Sequence, residues 1–266
     1  MTLTILLIYI AVGAVAGVLA GLLGIGGGLV IVPMLVYCFS LQGVAHAHVM
    51  HLALGTSLAS IVFTSISSFI AHHKKGAVNW PVVKKIATGI ITGTFAGAWL
   101  ASILSTGFLK VFFVIFLFYV AIQLVLDKTP PPSRELPGRT GMFSAGGFIG
   151  IISSLVGIGG GSLSVPFLIW CNMPVHNAIG TASAIGFPLA LAGALGYLAS
   201  GLGQASLPAF SLGFIYLPAL FGIVVASVAT APLGATLAHR LPVSKLKRIF
   251  AILLFVVATK MTWGIL

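Results

Sequence analysis

Two glycine clusters carry the clearest chemical signal in the sequence. GIGGG at 24–28 recurs at 157–161, and nine of fifteen positions match between 24–38 and 157–171. Glycine lets a ligand approach the backbone, and free N–H groups at the start of a helix attract anions. Glycine also permits close helix packing, which would explain a single copy. Because the motif occurs twice, we predict one anion site with backbone groups from Gly26, Gly27, Gly28, Gly159, Gly160 and Gly161.

Polar side chains beside the clusters and in the next segments extend this predicted site. Ser162 and Ser164 stand where the first copy has Leu29 and Ile31, so the second half offers more hydrogen-bonding groups. Such hydroxyls could bind substrate oxygens, or they could cap and pack helices. The predicted substrate-binding side chains are Thr56, Ser57, Ser162, Ser164, Asn177, Thr181 and Ser183.

Two histidines and two prolines are candidates for coupling and gating. His51 and His176 occupy equivalent places in a repeated H-x-A-x-G-T pattern. Imidazole ordinarily titrates near neutral pH, so both could serve a proton-coupled cycle, or they could simply be solvated. Pro33 and Pro166 each follow the last glycine by five residues and remove a backbone N–H, which frees a carbonyl. The histidines that precede His51 are only weakly typical of a metal site, and we predict no metal.

The composition indicates a membrane protein. Hydrophobic residues make up 59% of the chain, charged residues only 6%, and the mean hydropathy is +1.20. A soluble domain carries roughly 25% charged residues. We predict an all-α polytopic membrane protein with about eight to ten apolar segments, since many approach the ~20 residues of a spanning helix and period-2 barrel strands are absent. The net charge of +11 lies mainly in short loops, which indicates cytoplasmic loops rather than nucleic-acid binding.

Charge parity predicts how the short apolar segments cross the membrane. Segments 28–40 and 161–172 are too short to span, and both begin at a glycine cluster. The basic loops 72–85 and 239–248 should both be cytoplasmic. They reach the same face only if each glycine-broken unit enters the membrane and returns.

The chain is therefore predicted to contain two inverted-topology repeats. Residues 1–126 and 141–266 would each hold one glycine-broken half-helix and three spanning helices. Residues 127–140 would form a proline-rich cytoplasmic linker, and both chain termini would lie outside. Paired interrupted helices in inverted repeats are typical of a transporter's substrate site.

Acidic side chains are nearly absent. Asp127 and Glu135 are the only carboxylates, and both lie in the linker. A cation site or proton relay built on intramembrane carboxylates is thus excluded, and the substrate should be a small anion. A coupling ion, H⁺ or Na⁺, remains possible, but Na⁺ could be held only by carbonyls and hydroxyls. No Walker motif, nucleophile–base pair or metalloprotease motif occurs, so we predict a secondary carrier without a cofactor rather than an enzyme.

Several motifs resemble the sulfite exporter TauE/SafE family, also called toluenesulfonate uptake permeases. They are GIGGG with its proline, the Gly-Thr-Ser run at 55–57, its counterpart at 180–183, and PLGATLAHRLP at 232–242. The resemblance implies a carrier of sulfite, thiosulfate, sulfonates such as sulfoacetate or related small organic anions, located in the bacterial cytoplasmic membrane. Ala182 interrupts the second Gly-Thr-Ser run, so the site need not be an exact two-fold one. An anion channel and a carrier of non-sulfur organic acids remain alternatives.

Overall fold

The protein is folded almost entirely into helices. The structure is a computed structural model, and it describes residues 3–24, 26–126, 135–204, 206–238 and 243–263. Within these ranges the helices are α1 (Leu3–Leu23), α2 (Gly28–Leu41), α3 (Val49–His73), α4 (Trp80–Ile103), α5 (Thr106–Leu126), α6 (Arg139–Val156), α7 (Gly161–Trp170), α8 (Val175–Gly201), α9 (Leu217–Ala238) and α10 (Val243–Trp263). A short antiparallel hairpin, β1 (Ser211–Leu212) and β2 (Ile215–Tyr216), precedes α9.

Seven of the described helices are long and apolar enough to cross a bilayer, namely α1, α3, α4, α5, α6, α8 and α9. Large apolar side chains cover their outer surface, and Trp99, Phe148 and Phe221 are 66%, 64% and 71% exposed. A contiguous apolar surface of this kind fits contact with lipid rather than water. The prediction of an all-α polytopic membrane protein is confirmed.

The two short helices begin at the glycine clusters, as predicted. Helix α2 starts at Gly28 and has 14 residues, and α7 starts at Gly161 and has 10. At about 1.5 Å of rise per residue, neither reaches across a hydrocarbon core of about 30 Å. Pro33 and Pro166 lie inside these helices, in equivalent places.

Each glycine-broken unit folds back on itself. A Cβ at Gly27 would lie 2.7 Å from the carbonyl oxygen of Ala16, so the chain reverses beside α1. After α2, the Gln42 side chain donates a hydrogen bond to the Tyr9 hydroxyl (2.8 Å), near the beginning of α1. In the second half, Gly160 lies beside Ile149 of α6 in the same manner. The chain thus reverses at both glycine clusters, and the return of each unit to the same membrane face stays a prediction.

Close glycine contacts join helices from different halves in parallel. Along α1, Gly13, Gly17 and Gly21 lie against the backbone of α9 at successively later residues. Along α4, Gly89 lies against Phe143 and Gly93 against Gly147 of α6. Bare glycine faces allow such backbone approach, and packing of small residues is a main source of helix association in membranes.

The helices α3 and α8 cross antiparallel at the centre of the molecule. Ser68 meets Ser183 near one end of the pair, and Gly55 lies against Tyr197 near the other. When the two halves are exchanged, the helix pair α1–α9 takes the place of α6–α4. The pair α3–α8 takes its own place. The inverted-topology repeat itself stays a prediction. The division at 1–126, 127–140 and 141–266 stays a prediction, and residues 127–134 of the linker lie outside the described part.

Candidate functional site

The two glycine turns meet at the centre of the molecule. A Cβ at Gly28 would lie 2.3 Å from the carbonyl oxygen of Gly157. A Cβ at Gly26 would lie 3.0 Å from the Cα of Gly159. The contact at Gly28 is closer than real Cβ atoms come to backbone atoms, and Gly26 combines a tight contact with a φ of 79°, so both positions favour glycine. The structure therefore brings together the two motifs that are 133 residues apart in the chain (157 − 24 = 133).

The turns also need the left-handed backbone that glycine adopts readily. Gly27 has φ 76° and Gly160 has φ 77°, and each is the residue immediately before a short helix. A side chain at either position would strain the backbone. The turn geometry thus sets where α2 and α7 begin.

Both short helices begin with N–H groups that have no backbone acceptor in the described part of the chain. The Gly27 carbonyl accepts from Val30 and Ile31, and the Gly160 carbonyl accepts from Leu163 and Ser164. The first two N–H groups of each helix precede these donors. Such helix ends carry about half a positive charge, which favours an anion nearby.

A small cavity lies where the glycine turns face α3 and α8. It is lined by Ala20, Gly24, Gly26, Ile61, Ser65, Ser68, Gly159, Ser183 and Gly186. Its volume of about 10 Å³ corresponds to roughly one water molecule. A sulfur oxyanion is larger, so this conformation is closed around the cavity. Of the predicted substrate-binding residues, Gly26, Gly159 and Ser183 line it.

Hydroxyl groups near the turns divide into structural and unpaired ones. The Ser57 hydroxyl donates to the Gly157 carbonyl (2.8 Å) and the Ser164 hydroxyl donates to the Gly160 carbonyl (2.7 Å), so both brace the second turn. The hydroxyls of Ser153 and Ser162 are buried and have no hydrogen-bond partner among the described residues. A buried unpaired hydroxyl is unusual and needs an explanation such as a water or a ligand.

The equivalent threonines Thr56 and Thr181 hold connections of the opposite half. The Thr56 hydroxyl accepts the backbone N–H of Tyr216 (2.9 Å), just before α9. The Thr181 hydroxyl accepts the backbone N–H of Asn79 (3.0 Å), just before α4. Both are fully buried and away from the cavity lining. Their predicted substrate contact stays a prediction, and their observed role is structural.

The histidines at the equivalent places differ in environment. His51 is buried in the first turn of α3, where its Nε2 donates to the Ala101 carbonyl (3.0 Å) and its ring lies 5.1 Å from that of Phe214. His176 is exposed at the start of α8, and Asn177 beside it is half-buried. None of these three lines the central cavity. The coupling role of the histidines and the gating role of the prolines stay predictions.

Sequence reasoning missed the serines that α3 contributes to the cavity. Ser65 and Ser68 stand one helical turn apart, so they face the same direction. The Ser68 hydroxyl lies 3.2 Å from that of Ser183. A run of hydroxyl residues in an apolar helix was the available signal. Among the described residues there is no cluster of three or more histidine, cysteine or carboxylate groups that could hold a metal.

Comparison with known proteins assigns the chain to a family. The family model described as "Sulfite exporter TauE/SafE" matches residues 9–261. The chain belongs to the TauE/SafE family. This confirms the resemblance seen in the glycine and proline motifs, and the match covers nearly all of both halves.

Curated relatives of this TauE/SafE protein are named as transporters. A "Probable membrane transporter protein" of Haemophilus influenzae is 41% identical over 97% of this chain and 98% of its own length. The "Probable membrane transporter protein MJ0441" of Methanocaldococcus jannaschii is 29% identical over 87% of this chain and 86% of its own length. No solved structure matches the chain. The protein is therefore a multi-pass membrane transporter and not an enzyme.

Proposed function

We propose that this protein is a secondary transporter of small anions, with sulfur oxyanions or organosulfonates as its substrates. The observation that carries the proposal is the meeting of two glycine turns at a buried, serine-lined cavity. Each short helix begins two residues after a glycine that lines the cavity, Gly26 before α2 and Gly159 before α7. Two helix N-termini and bare glycine backbone make an environment that favours a small oxyanion.

The charge of the protein supports an anion rather than a cation as the substrate. In the described part of the chain the one acidic side chain is Glu135, which is exposed and precedes α6. Cation sites within membranes ordinarily use carboxylates or rings of carbonyls. The polar groups that line this cavity are instead hydroxyls and glycine backbone.

The paired architecture supports alternating access. The cavity is lined by residues from both halves, with Gly26 and Ser68 from the first and Gly159 and Ser183 from the second. A rocking of one half against the other would open this shared cavity first to one side and then to the other. The closed cavity fits an occluded state of such a cycle. An anion channel is the alternative, and it differs by lacking saturable counterflow.

The sulfur chemistry of the substrate rests on the family name. Backbone N–H groups and hydroxyls recognise negative charge and oxygen geometry, which sulfite, thiosulfate and sulfonates share. Carboxylates offer fewer oxygens in a planar group, so they are the natural comparison compounds. A carrier of non-sulfur organic acids would respond to them instead.

A thermal-shift screen of the purified protein tests this proposal. We expect sulfite, thiosulfate or sulfoacetate to raise the melting temperature, and acetate not to do so. Ligand at a hundredfold excess over the dissociation constant stabilises a folded protein by roughly 2.7 kcal/mol. A positive result leads to saturation and counterflow assays in liposomes, which separate a carrier from a channel.

Two adjacent serines of α3 provide a matched pair of variants. Ser68→Ala removes a hydroxyl that lines the cavity, whereas Ser67→Ala removes one that donates to Val228 of α9. We expect Ser68→Ala to weaken the ligand-induced shift and Ser67→Ala to preserve it. A shift from acetate but from no sulfur anion would overturn the proposed substrate class, and equal loss in both variants would move the site elsewhere.

A further inference from the structure

A basic groove lies at one end of the helix bundle, between the N-terminal turns of α4 and α6. Its walls combine three cations, three hydroxyls and an aromatic ring, from Lys84, Lys85, Arg139, Thr88, Thr140, Ser144 and Phe143. The groove has a volume of about 610 Å³, and all seven residues are exposed. It shares no residue with the central cavity, so it is a separate site.

Within the described residues, no acidic side chain balances the positive charge of the groove. In the described part of the chain Glu135 is the one acidic side chain, and no ion pair joins it to Lys84, Lys85 or Arg139. Helices α4 and α6 run parallel, so both helix N-termini lie at this end and add positive potential. An anionic group in the groove would be stabilised by both contributions.

The equivalent groove of the other helix pair has none of this chemistry. Gly93 of α4 contacts Gly147 of α6, and Thr230 of α9 contacts Ala14 of α1. These equivalent contacts align α4 with α9 and α6 with α1. Nine residues before Gly93 is Lys84, and nine residues before Thr230 is Phe221. The positions equivalent to Lys85, Thr88, Arg139, Thr140, Phe143 and Ser144 are Gly222, Val225, Leu6, Leu7, Ile10 and Ala11. The two helix pairs pack in the same way, but only the pair α4–α6 carries these cations. The way the helices pack therefore does not explain the cations.

The groove continues directly into lipid-facing surface. On α4 the exposed face runs from Lys84 and Lys85 to Ile91 and Phe95, which are 39% and 42% exposed. On α6 Phe148 is 64% exposed. A ligand that combines a phosphate headgroup with long acyl chains matches a basic groove that continues into an apolar surface. We propose that the groove binds an anionic phospholipid, with its phosphate at the cations and its acyl chains along α4 and α6.

Native mass spectrometry of the purified protein with added cardiolipin tests the proposal. The variant Lys84→Gln/Lys85→Gln/Arg139→Gln removes three groove cations. The control Lys74→Gln/Arg248→Gln/Lys260→Gln removes three exposed cations elsewhere. We expect the control to bind cardiolipin as the unaltered protein does. The groove variant should bind more weakly, by on the order of fivefold for each cation removed.

Further measurements distinguish the binding of a lipid from the binding of free phosphate and from a nonspecific effect of the protein's net charge. Phosphatidylcholine should not compete with cardiolipin, and inorganic phosphate alone should not displace it. Equal loss of binding in both triple variants would overturn the proposal, as would displacement by inorganic phosphate. The groove residues are exposed, so the variant should fold and keep its anion-induced thermal shift. The two proposals can therefore fail independently.

Discussion

At the scale of single residues, Gly28 sets how closely the two glycine turns approach. In Gly28→Ala the new Cβ would meet the carbonyl oxygen of Gly157 at 2.3 Å and the Cα of Ile158 at 2.9 Å. Both are backbone atoms, so the turns must move apart. We expect a loss of about 1–3 kcal/mol in the free energy of unfolding and loss of the anion-induced thermal shift.

A glycine outside the centre provides the control for this substitution. At Gly107, near the start of α5, no heavy atom beyond its neighbours in the same helix lies within 4 Å of the position that a Cβ would take. Gly107→Ala should leave ligand binding unchanged and stabilise the protein slightly, if at all. A ligand shift that survives in Gly28→Ala would mean that contact between the turns is dispensable for binding.

The predicted site residues illustrate what a sequence can convey at this scale. The duplicated glycines were recognisable because a repeat of nine identical positions in an apolar chain is improbable by chance. Ser65 and Ser68 were missed because hydroxyl residues in a membrane helix more often bond their own backbone. Their shared cavity depends on the antiparallel crossing of α3 and α8, a contact between distant segments that local pattern does not encode.

At the scale of secondary-structure elements, Thr56 and Thr181 tie α3 and α8 to the opposite half. Thr56→Val leaves the N–H of Tyr216 without its acceptor, and Thr181→Val does the same to Asn79. An unpaired buried N–H costs about 1–3 kcal/mol, and the half-buried N–H of Asn79 should cost less. We expect both variants to melt at lower temperature while keeping the anion-induced shift.

An exposed threonine of α4 is the matched control for these variants. The Thr92 hydroxyl donates only to carbonyls of its own helix, those of Thr88 and Gly89. Thr92→Val should melt as the unaltered protein does. If Thr56→Val instead melts normally and abolishes the ligand shift, then Thr56 is a substrate ligand, as the sequence alone predicts.

The elements themselves were largely predictable, and the exception has a physical reason. Apolar runs and glycine clusters located the spanning helices and both short helices, since their length and composition are local properties. The hairpin β1–β2 was not predicted, because most of its residues are apolar and the apolar run continues into the helix that follows. Its two strands pair with each other, and the Phe214 N–H in the turn between them bonds the Tyr197 carbonyl of α8.

At the scale of the whole molecule, the packing places the last turns of α10 and the first half of α1 beside the end of α2. Lys260, near the end of α10, lies 5.1 Å from the centre of the Tyr37 ring, near the end of α2. Gln42, after α2, bonds Tyr9 near the start of α1. Lys74 and Lys75 lie at the far end of the bundle, where α3 finishes.

Thiol labelling of intact cells tests this arrangement in the membrane. In a variant with Cys38 and Cys171 replaced by serine, single cysteines would be placed at Gln204, Lys74 and Arg248, which are exposed positions. Because basic segments stay in the cytoplasm, an impermeant maleimide should label Gln204→Cys in intact cells, and Lys74→Cys and Arg248→Cys only after permeabilisation. Labelling of Lys74→Cys and Arg248→Cys from opposite sides would contradict the inverted repeat. Labelling of both from outside would keep the repeat and reverse its orientation.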